Sequence, residues 1–232
     1  MFLIYAKRVL ALQRELDEYL HCASTSQKVR LGATVTVGTC VISPILLRLK
    51  TTIPKLNAEL LVANTHILEE KLLKSELDIC LVEGRIKHSD LIVQKAIHDK
   101  LVMICSVEHS FFGRSSVSLK EASQYPIIFR EQGSGTSAQI EKEFHERGLP
   151  INIVWDCYNT EAIINGVADN HGISIISERL IRDAVRQGKL WACPVEDADF
   201  DRSFDLVYHK GKYITPILQE FIDICIDFGE NP

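Results

Sequence analysis

The chain has no run of Lys and Arg long enough to follow a phosphate backbone, and 26 Lys and Arg against 31 Asp and Glu leave a formal net charge of −5. Without a counterion-release contribution the chain by itself is a poor nucleic-acid binder. None of its seven cysteines (Cys22, Cys40, Cys80, Cys105, Cys157, Cys193, Cys225) forms a C-x-x-C pair, and the eight histidines show no H-x-x-E-H or comparable spacing. A metal site therefore has little support, and none is expected. The cysteines are odd in number, scattered and set mostly in apolar patterns, which is reduced, cytoplasmic usage. Long apolar runs are also missing. Phe2-Leu3-Ile4-Tyr5 opens like a leader, but Lys7, Arg8, Arg14, Glu15, Asp17 and Glu18 interrupt it before it reaches the length of a signal or a membrane span.

The same N-terminal stretch has its apolar residues at helical spacing (Leu3, Val9 or Leu10, Leu12 or Leu16, Leu20), so residues 1–20 read as an amphipathic helix ending near Cys22. Ala23 to Lys28 has no periodicity and reads as a linker. Beyond it, 232 residues with 46% hydrophobic content can bury one large core or two modest ones. A repeat favours two. The first copy runs from Ala33-Thr34-Val35-Thr36-Val37-Gly38, read as a strand, through a helix at Ile45 to Ile53, to strands at Glu59 to Thr65 and Leu77 to Val82. The second runs from Pro126 to Arg130, through a helix at Ile140 to Gly148, to strands at Ile153 to Thr160 and Gly172 to Ile176. Thr39 to Asn64 and Ser134 to Asn159 are both 25 positions (64 − 39 and 159 − 134).

Short Val- and Ile-rich runs alternating with helices imply parallel sheets covered by helices. In such sheets ligands sit beyond the carboxyl ends of the strands. Lys100 to Cys105 reads as a strand approaching the second lobe, and Ser203 to His209 with a helix from Thr215-Pro216 to about Phe228 is too small to form a third core. These segments should return to the first lobe, giving two crossovers, near Cys105 to Ser110 and near Asp201 to Phe204. The expected organisation is an α/β fold of two Rossmann-like lobes: residues 1–28 as linker helix and linker, 29–107 plus 204–232 as lobe one, 108–203 as lobe two.

A family resemblance rests on Val37-Gly38-Thr39 before a helix, Leu77 to Gly84, Ile128-Phe129-Arg130-Glu131-Gln132-Gly133-Ser134-Gly135-Thr136, Gly172 to Ser177, and Arg202 to Lys210. In this order and spacing the chain resembles the effector-binding domain, with part of the linker helix, of a LysR-type transcriptional regulator. The R-E-x-G-S-G-T stretch resembles the branch that includes regulators of sulfur and carbon-fixation metabolism. Ser137 departs from the pattern, since members with this motif commonly carry Arg there, and Asp169-Asn170-His171 replaces a small, glycine-containing stretch. The resemblance implies a periplasmic-binding-protein-like (type 2) fold and a homodimer or tetramer. It also implies that DNA is reached only through an N-terminal winged helix-turn-helix, which has no counterpart in this sequence.

Candidate ligand-binding residues follow from the strand ends. Ser134, Gly135 and Thr136 precede a helix whose N-terminus favours an anion, though a Ser or Thr there can simply cap. Thr39 and Cys40 are read as the opposing helix start. Asn64, Thr65, Asn159 and Thr160 each follow a strand and precede a helix, where N-capping competes with ligand contact. Glu83 and Arg130 close strands, and Arg130 could balance an anionic ligand. Cys40 has no histidine placed beside it, and no pair of titrating groups converges, so no catalytic residue and no cofactor is expected. A solute-binding receptor and an enzyme on the same fold are the competing readings. The amphipathic helix at Leu3 to Leu20 favours a ligand-sensing regulatory domain that takes a small anionic metabolite in a cleft between the lobes.

Overall fold

The computed structural model describes residues 27–230 together with residues 9, 10 and 13. Apart from those three positions, the helix expected over residues 1–20 lies outside the described residues. In chain order, β1 (Gln27–Ala33) leads to α1 (Val35–Cys40), α2 (Ile42–Thr52), β2 (Leu56–Val62), α3 (Thr65–Leu73), β3 (Ile79–Glu83) and the long β4 (Leu91–Ser106). Next come α4 (Leu119–Ala122), β5 (Ile127–Arg130), α5 (Gly135–Glu146), β6 (Ile153–Cys157), α6 (Thr160–Ala168), β7 (Ser174–Ser177), α7 (Glu178–Arg186) and β8 (Leu190–Cys193). The chain closes with β9 (Asp201–His209) and α8 (Pro216–Glu230). Two compact units result, one extending to Ile97 and resuming at Phe204, the other running from His98 to Ser203.

In the first unit the strands lie in the order β2-β1-β3-β9-β4. β1 is parallel to both neighbours, with Leu31 opposite Leu60 on one side and Ile79 on the other, while β9 runs antiparallel to β3 with Val207 opposite Cys80. Alternation along β3 sends Ile79 and Leu81 into one core with Ile45, Leu49 and Phe221, and Cys80 and Val82 into another with Leu68 and Leu72. Helices α2 and α8 thus cover one face and α3 the other. Pro216 occupies the first position of α8, and the Thr215 hydroxyl accepts from the Leu218 N–H at 3.3 Å, so Thr-Pro sets that helix start.

In the second unit β7 and β8 both pair antiparallel with the later half of β4, and β5 pairs parallel with β6. The same alternation divides this unit's apolar residues. Leu101, Met103, Phe129, Phe144 and Ile175 form one core, and Val102, Ile104, Ile128, Ile163 and Ile176 the other.

Three expectations are corrected. The strand expected at Ala33 to Gly38 is β1 at Gln27–Ala33, and the supposed linker residues Gln27 and Lys28 belong to it. Val35-Thr36-Val37 is helical, because β-branched propensity is a weak preference that burial overrides. Thr36 and Val37 are buried in α1, and a side chain on Gly38 would press Val62 at 3.0 Å. Second, the 25-residue spacing does not match equivalent points. The N-caps of the corresponding first helices are Thr34 and Ser134, so the intervals to the N-caps Asn64 and Asn159 are 30 and 25 (64 − 34 and 159 − 134). The first unit interrupts its helix at Val41, where the second has one continuous α5. Third, β4 passes between the units at Ile97 and His98, not near Cys105 to Ser110. It is one unbroken strand of 16 residues, half-exposed at its start and fully buried from Leu101 to Ser106, so no break in the pattern marks the change of unit.

Candidate functional site

Each unit ends its parallel strands in a polar edge made of helix starts. In the first unit, Thr34 and Thr36 flank the end of β1 and Glu83 ends β3. The buried Glu83 carboxylate accepts from the Thr34 hydroxyl and, at 2.9 Å, from the Thr36 hydroxyl. The Thr65 hydroxyl, at the first position of α3, donates to the Glu83 carbonyl at 2.7 Å. Glu83 is thus held by hydroxyls from two helix starts, its carboxyl group by Thr34 and Thr36 and its backbone carbonyl by Thr65. Asn64 accepts from the Ile67 N–H at 3.0 Å and is the N-cap of α3.

Thr39 and Cys40 do not take part in this edge. Thr39 is exposed near the end of α1, and its hydroxyl donates back to the Val35 carbonyl at 2.8 Å. The Cys40 thiol similarly donates to the Thr36 carbonyl at 2.9 Å. Both are displaced because the strand ends at Ala33, so the residues at its carboxyl end are Thr34 to Thr36. The sequence does carry that signal: in Lys28-Val29-Arg30-Leu31 charged and apolar residues alternate, a half-buried strand pattern that ends before Thr34.

In the second unit the Glu131 N–H donates to the Cys157 carbonyl at 3.2 Å, which aligns the exits of β5 and β6. Helices α5 and α6 therefore start side by side on one edge. Ser134 is the N-cap of α5 and accepts from the Thr136 N–H at 3.2 Å; Gly135 is its first residue. Asn159 caps α6 by accepting from the Glu161 N–H at 2.8 Å. Arg130 is buried and paired within itself to the next residue, donating to both carboxylate oxygens of Glu131 at 2.9 and 3.1 Å. That bidentate pair occupies the guanidinium internally, which argues against Arg130 as the balancing charge for a ligand. Ser137, in place of the family's Arg, donates to the Arg130 and Glu131 carbonyls at 2.8 and 3.0 Å and so locks the turn into α5.

Thr160, at the first position of α6, is only 8% exposed, and its buried hydroxyl has no hydrogen-bond partner among the described residues. A buried hydroxyl with no partner is uncommon and costs free energy. Thr136, almost fully buried, accepts from Arg202 Nη1 at 2.9 Å. Arg202, on β9, is in turn held through Nε by the buried Asp99 carboxylate at 2.7 Å. Ser177 donates to the other Asp99 oxygen at 2.7 Å, and Arg179 approaches it at 3.8 Å. Arg202 and Asp99 were not legible as site residues: they lie 66 and 37 positions from Thr136 (202 − 136 and 136 − 99), and only the meeting of β4 and β9 with α5 brings them together. Among the described residues no group of three or more His, Cys, Asp or Glu is placed to hold a metal ion, and no helix is long and apolar enough to cross a membrane.

The sequence model of a family described as the LysR substrate binding domain matches residues 23–229. Escherichia coli (strain K12) HTH-type transcriptional regulator YeiE is 26% identical over 223 residues, covering 96% of this chain and 76% of YeiE. The HTH-type transcriptional activator CmpR of Synechocystis sp. (strain PCC 6803) is 27% identical over 219 residues, covering 93% of this chain and 72% of CmpR. Among solved structures, the Synechocystis PCC6803 CcmR regulatory domain in complex with 2-PG superposes with a TM-score of 0.81 at 23% identity, covering 88% of this chain and 98% of that one. The effector-binding domain of QuiR in complex with shikimate superposes with a TM-score of 0.78 at 18% identity, covering 89% and 98%. The fold is accordingly the α/β, periplasmic-binding-protein-like (type 2) class.

Proposed function

The chain belongs to the LysR substrate-binding domain family, and on that premise we propose that it is the ligand-sensing part of a transcriptional regulator, taking a small anionic metabolite at the strand ends. The observation that carries this is the composition of the two edges. Buried Thr34, Thr36 and Thr65 in one unit and Ser134, Thr136 and Thr160 in the other put hydroxyls and helix N-termini where α/β sheets bind ligands. Two solved structures of the same fold are described as complexes with 2-PG and with shikimate, which supports a small-molecule ligand here.

Neither edge brings together a nucleophile and a base, which supports binding without turnover. Ligand binding would bias one conformation of the chain over another, and a winged helix-turn-helix domain would read the change on DNA, in the cytoplasm. A net charge of −5 supports leaving DNA contact to that other domain.

We also assign a homodimer or tetramer as the working state. Two sheet edges carry exposed apolar side chains. β2 presents Leu60 and Val62, α2 presents Leu47, which is 68% exposed, and β6 presents Ile153, Val154 and Trp155. Unpaired edge strands with apolar faces are the places where a second copy of the chain is accommodated.

A thermal-shift screen of 2-PG, shikimate, sulfate, phosphate and small carboxylates, followed by calorimetry, tests the ligand reading. Thr136→Ala should weaken the best binder by about ten- to a hundredfold, the loss of one hydrogen bond to a charged ligand, and Thr65→Ala, which removes the hydroxyl that holds the Glu83 carbonyl, should weaken it by disturbing the edge. Thr39→Ala should leave it unchanged. Equal affinity in all three variants would refute the assignment of the edges.

A further inference from the structure

The chain has two methionines, and the second, Met103, sits beside cysteines. β4 and β8 run antiparallel, with Met103 directly opposite Cys193 and Cys105 opposite Trp191. Residues two apart on a strand share a face, so Met103, Cys105 and Cys193 all enter one core of the second unit, together with Leu101, Phe111 and Val117. None of the three is more than 2% exposed. Directly opposed residues have Cβ atoms about 4.5–5.5 Å apart, while diagonal neighbours lie about 7–8 Å apart with their Cβ atoms somewhat closer. Cys105 and Cys193 are such a diagonal pair, and both are free thiols. Their separation is at or past the outer limit for a disulfide, whose Cα atoms lie about 4.4–6.8 Å apart. It suits two sulfurs joined through a third atom. The thiols also feel each other: the pKa of Cys105 is pushed up to about 12, by burial first and then by Cys193.

We propose that Met103, Cys105 and Cys193 form a binding site for a soft monovalent metal ion, Cu(I) or Ag(I), held by two thiolates and one thioether. The donor set selects the class of ion. Thiolate and thioether sulfur favour Cu(I), whereas Mg, Ca and Mn take oxygen ligands. A structural zinc site needs four ligands, and among the described residues no third His, Cys, Asp or Glu joins the two cysteines. Three sulfurs satisfy a closed-shell monovalent ion. Binding forms three metal–sulfur bonds and releases the two thiol protons to the buffer, with no change of oxidation state. The bound group carries one net negative charge. Burial raises the pKa of the Cys193 thiol and the nearby Arg114 charge opposes it, so that same guanidinium, which also pairs with Glu121 at 2.7 Å, offsets the charge of the metal group. Entry is through β8, a strand of four residues that pairs only with β4 among the named strands, so that its local opening uncovers the sulfurs. An ion that binds the folded chain alone then stabilises it.

Overnight anaerobic equilibration of the whole chain with Cu(I) held by bicinchoninate tests the site. The parent should withdraw Cu(I) from the chelator and melt at a higher temperature when loaded, and copper-edge X-ray absorption should find three sulfur donors and no nitrogen or oxygen. Removing an outer-shell partner of a metal site typically costs about ten- to a hundredfold in affinity, so loss of a ligand in Cys105→Ala or Cys193→Ala should cost at least about a hundredfold. Met103→Leu keeps the volume of the core and should lose about tenfold. Cys40→Ala and Cys157→Ala, which remove the two partly exposed thiols, should bind as the parent does. A parent that leaves Cu(I) on the chelator, parent-like affinity in a folded Cys105→Ala or Cys193→Ala, or a metal bound through nitrogen or oxygen overturns the proposal. If both cysteine variants unfold, Met103→Leu and the X-ray absorption of the parent decide it, and parent-like affinity in the one or fewer than three sulfurs in the other overturns it. The ligand-sensing reading concerns the strand ends and stands or falls separately.

Discussion

Asp78→Asn should be among the most destabilising single-atom changes available in the first unit. Asp78 sits just before β3, and its carboxylate gathers three segments. It accepts from the Arg30 backbone N–H at 2.7 Å, from Arg30 Nη2 at 2.6 Å and Nε at 3.3 Å, and from Lys212 Nζ at 2.8 Å. Arg30 is on β1, and Lys212 lies between β9 and α8, so one side chain ties the centre of the sheet to the return segment. The Lys212 side chain is 9% exposed and that of Asp78 10%. Removing one partner of a buried pair leaves charge in a poorly solvated place and costs about 3–5 kcal/mol. Arg30, 26% exposed, recovers some hydration, which places the expectation near the lower end, at about 3 kcal/mol.

Burial opposes ionisation of Asp78, but the Arg30 hydrogen bonds and the Lys212 charge outweigh it and hold the carboxyl below its usual range. The unfolded chain therefore takes up this proton first, so the contribution is present above about pH 4 and is lost as pH falls from there through the lower native value. Urea unfolding at pH 7 and at a series of lower pH values checks both parts. The parent should lose stability across that acid range more steeply than Asp78→Asn. A loss under about 1 kcal/mol at neutral pH, or parallel acid curves for the two proteins, would refute the reasoning.

Gly32→Ala should destabilise by about 1–3 kcal/mol through overpacking, since the new methyl would lie 2.4 Å from the Cys80 sulfur and 2.9 Å from Leu68 Cδ2; adding Cys80→Ala should return part of the loss in denaturant titrations, and full additivity of the two would argue against the steric account. Burial raises the thiol pKa of Cys80 and Cys225 and, with the nearby Cys193, pushes that of Cys105 up to about 12. Iodoacetamide at pH 8 should therefore spare all three until the protein is unfolded, as read by peptide mass spectrometry, and rapid native labelling of any would contradict their burial. Val154→Glu and Leu47→Glu, at exposed positions 45% and 68% accessible, should leave the fold intact and lower the mass seen by light scattering from dimer toward monomer; unchanged assembly in both would remove these edges as the interface.

The sequence by itself determined the fold class and the order of most elements, because both depend on local patterns. β3, β5 and β7 lie where short Val- and Ile-rich runs predict strands, and α5 and α6 begin at the capping residues Ser134 and Asn159. The residues of the second-unit edge at Ser134 to Thr136 were legible for the same reason, since a glycine-rich turn before a helix announces itself within a few positions.

Tertiary structure decided what local pattern could not. It converted Val35-Thr36-Val37 from apparent strand to helix through burial, and so shifted the first-unit edge from Thr39 and Cys40 to Thr34 and Thr36 around Glu83. It drew Arg130 inward to Glu131 and brought Arg202, held by Asp99, to Thr136 at the start of α5. Charged side chains are the least predictable from sequence because their partners are set by distance in space. Periodicity says which face of an element is buried, and only the packed chain says which charge waits on the other side.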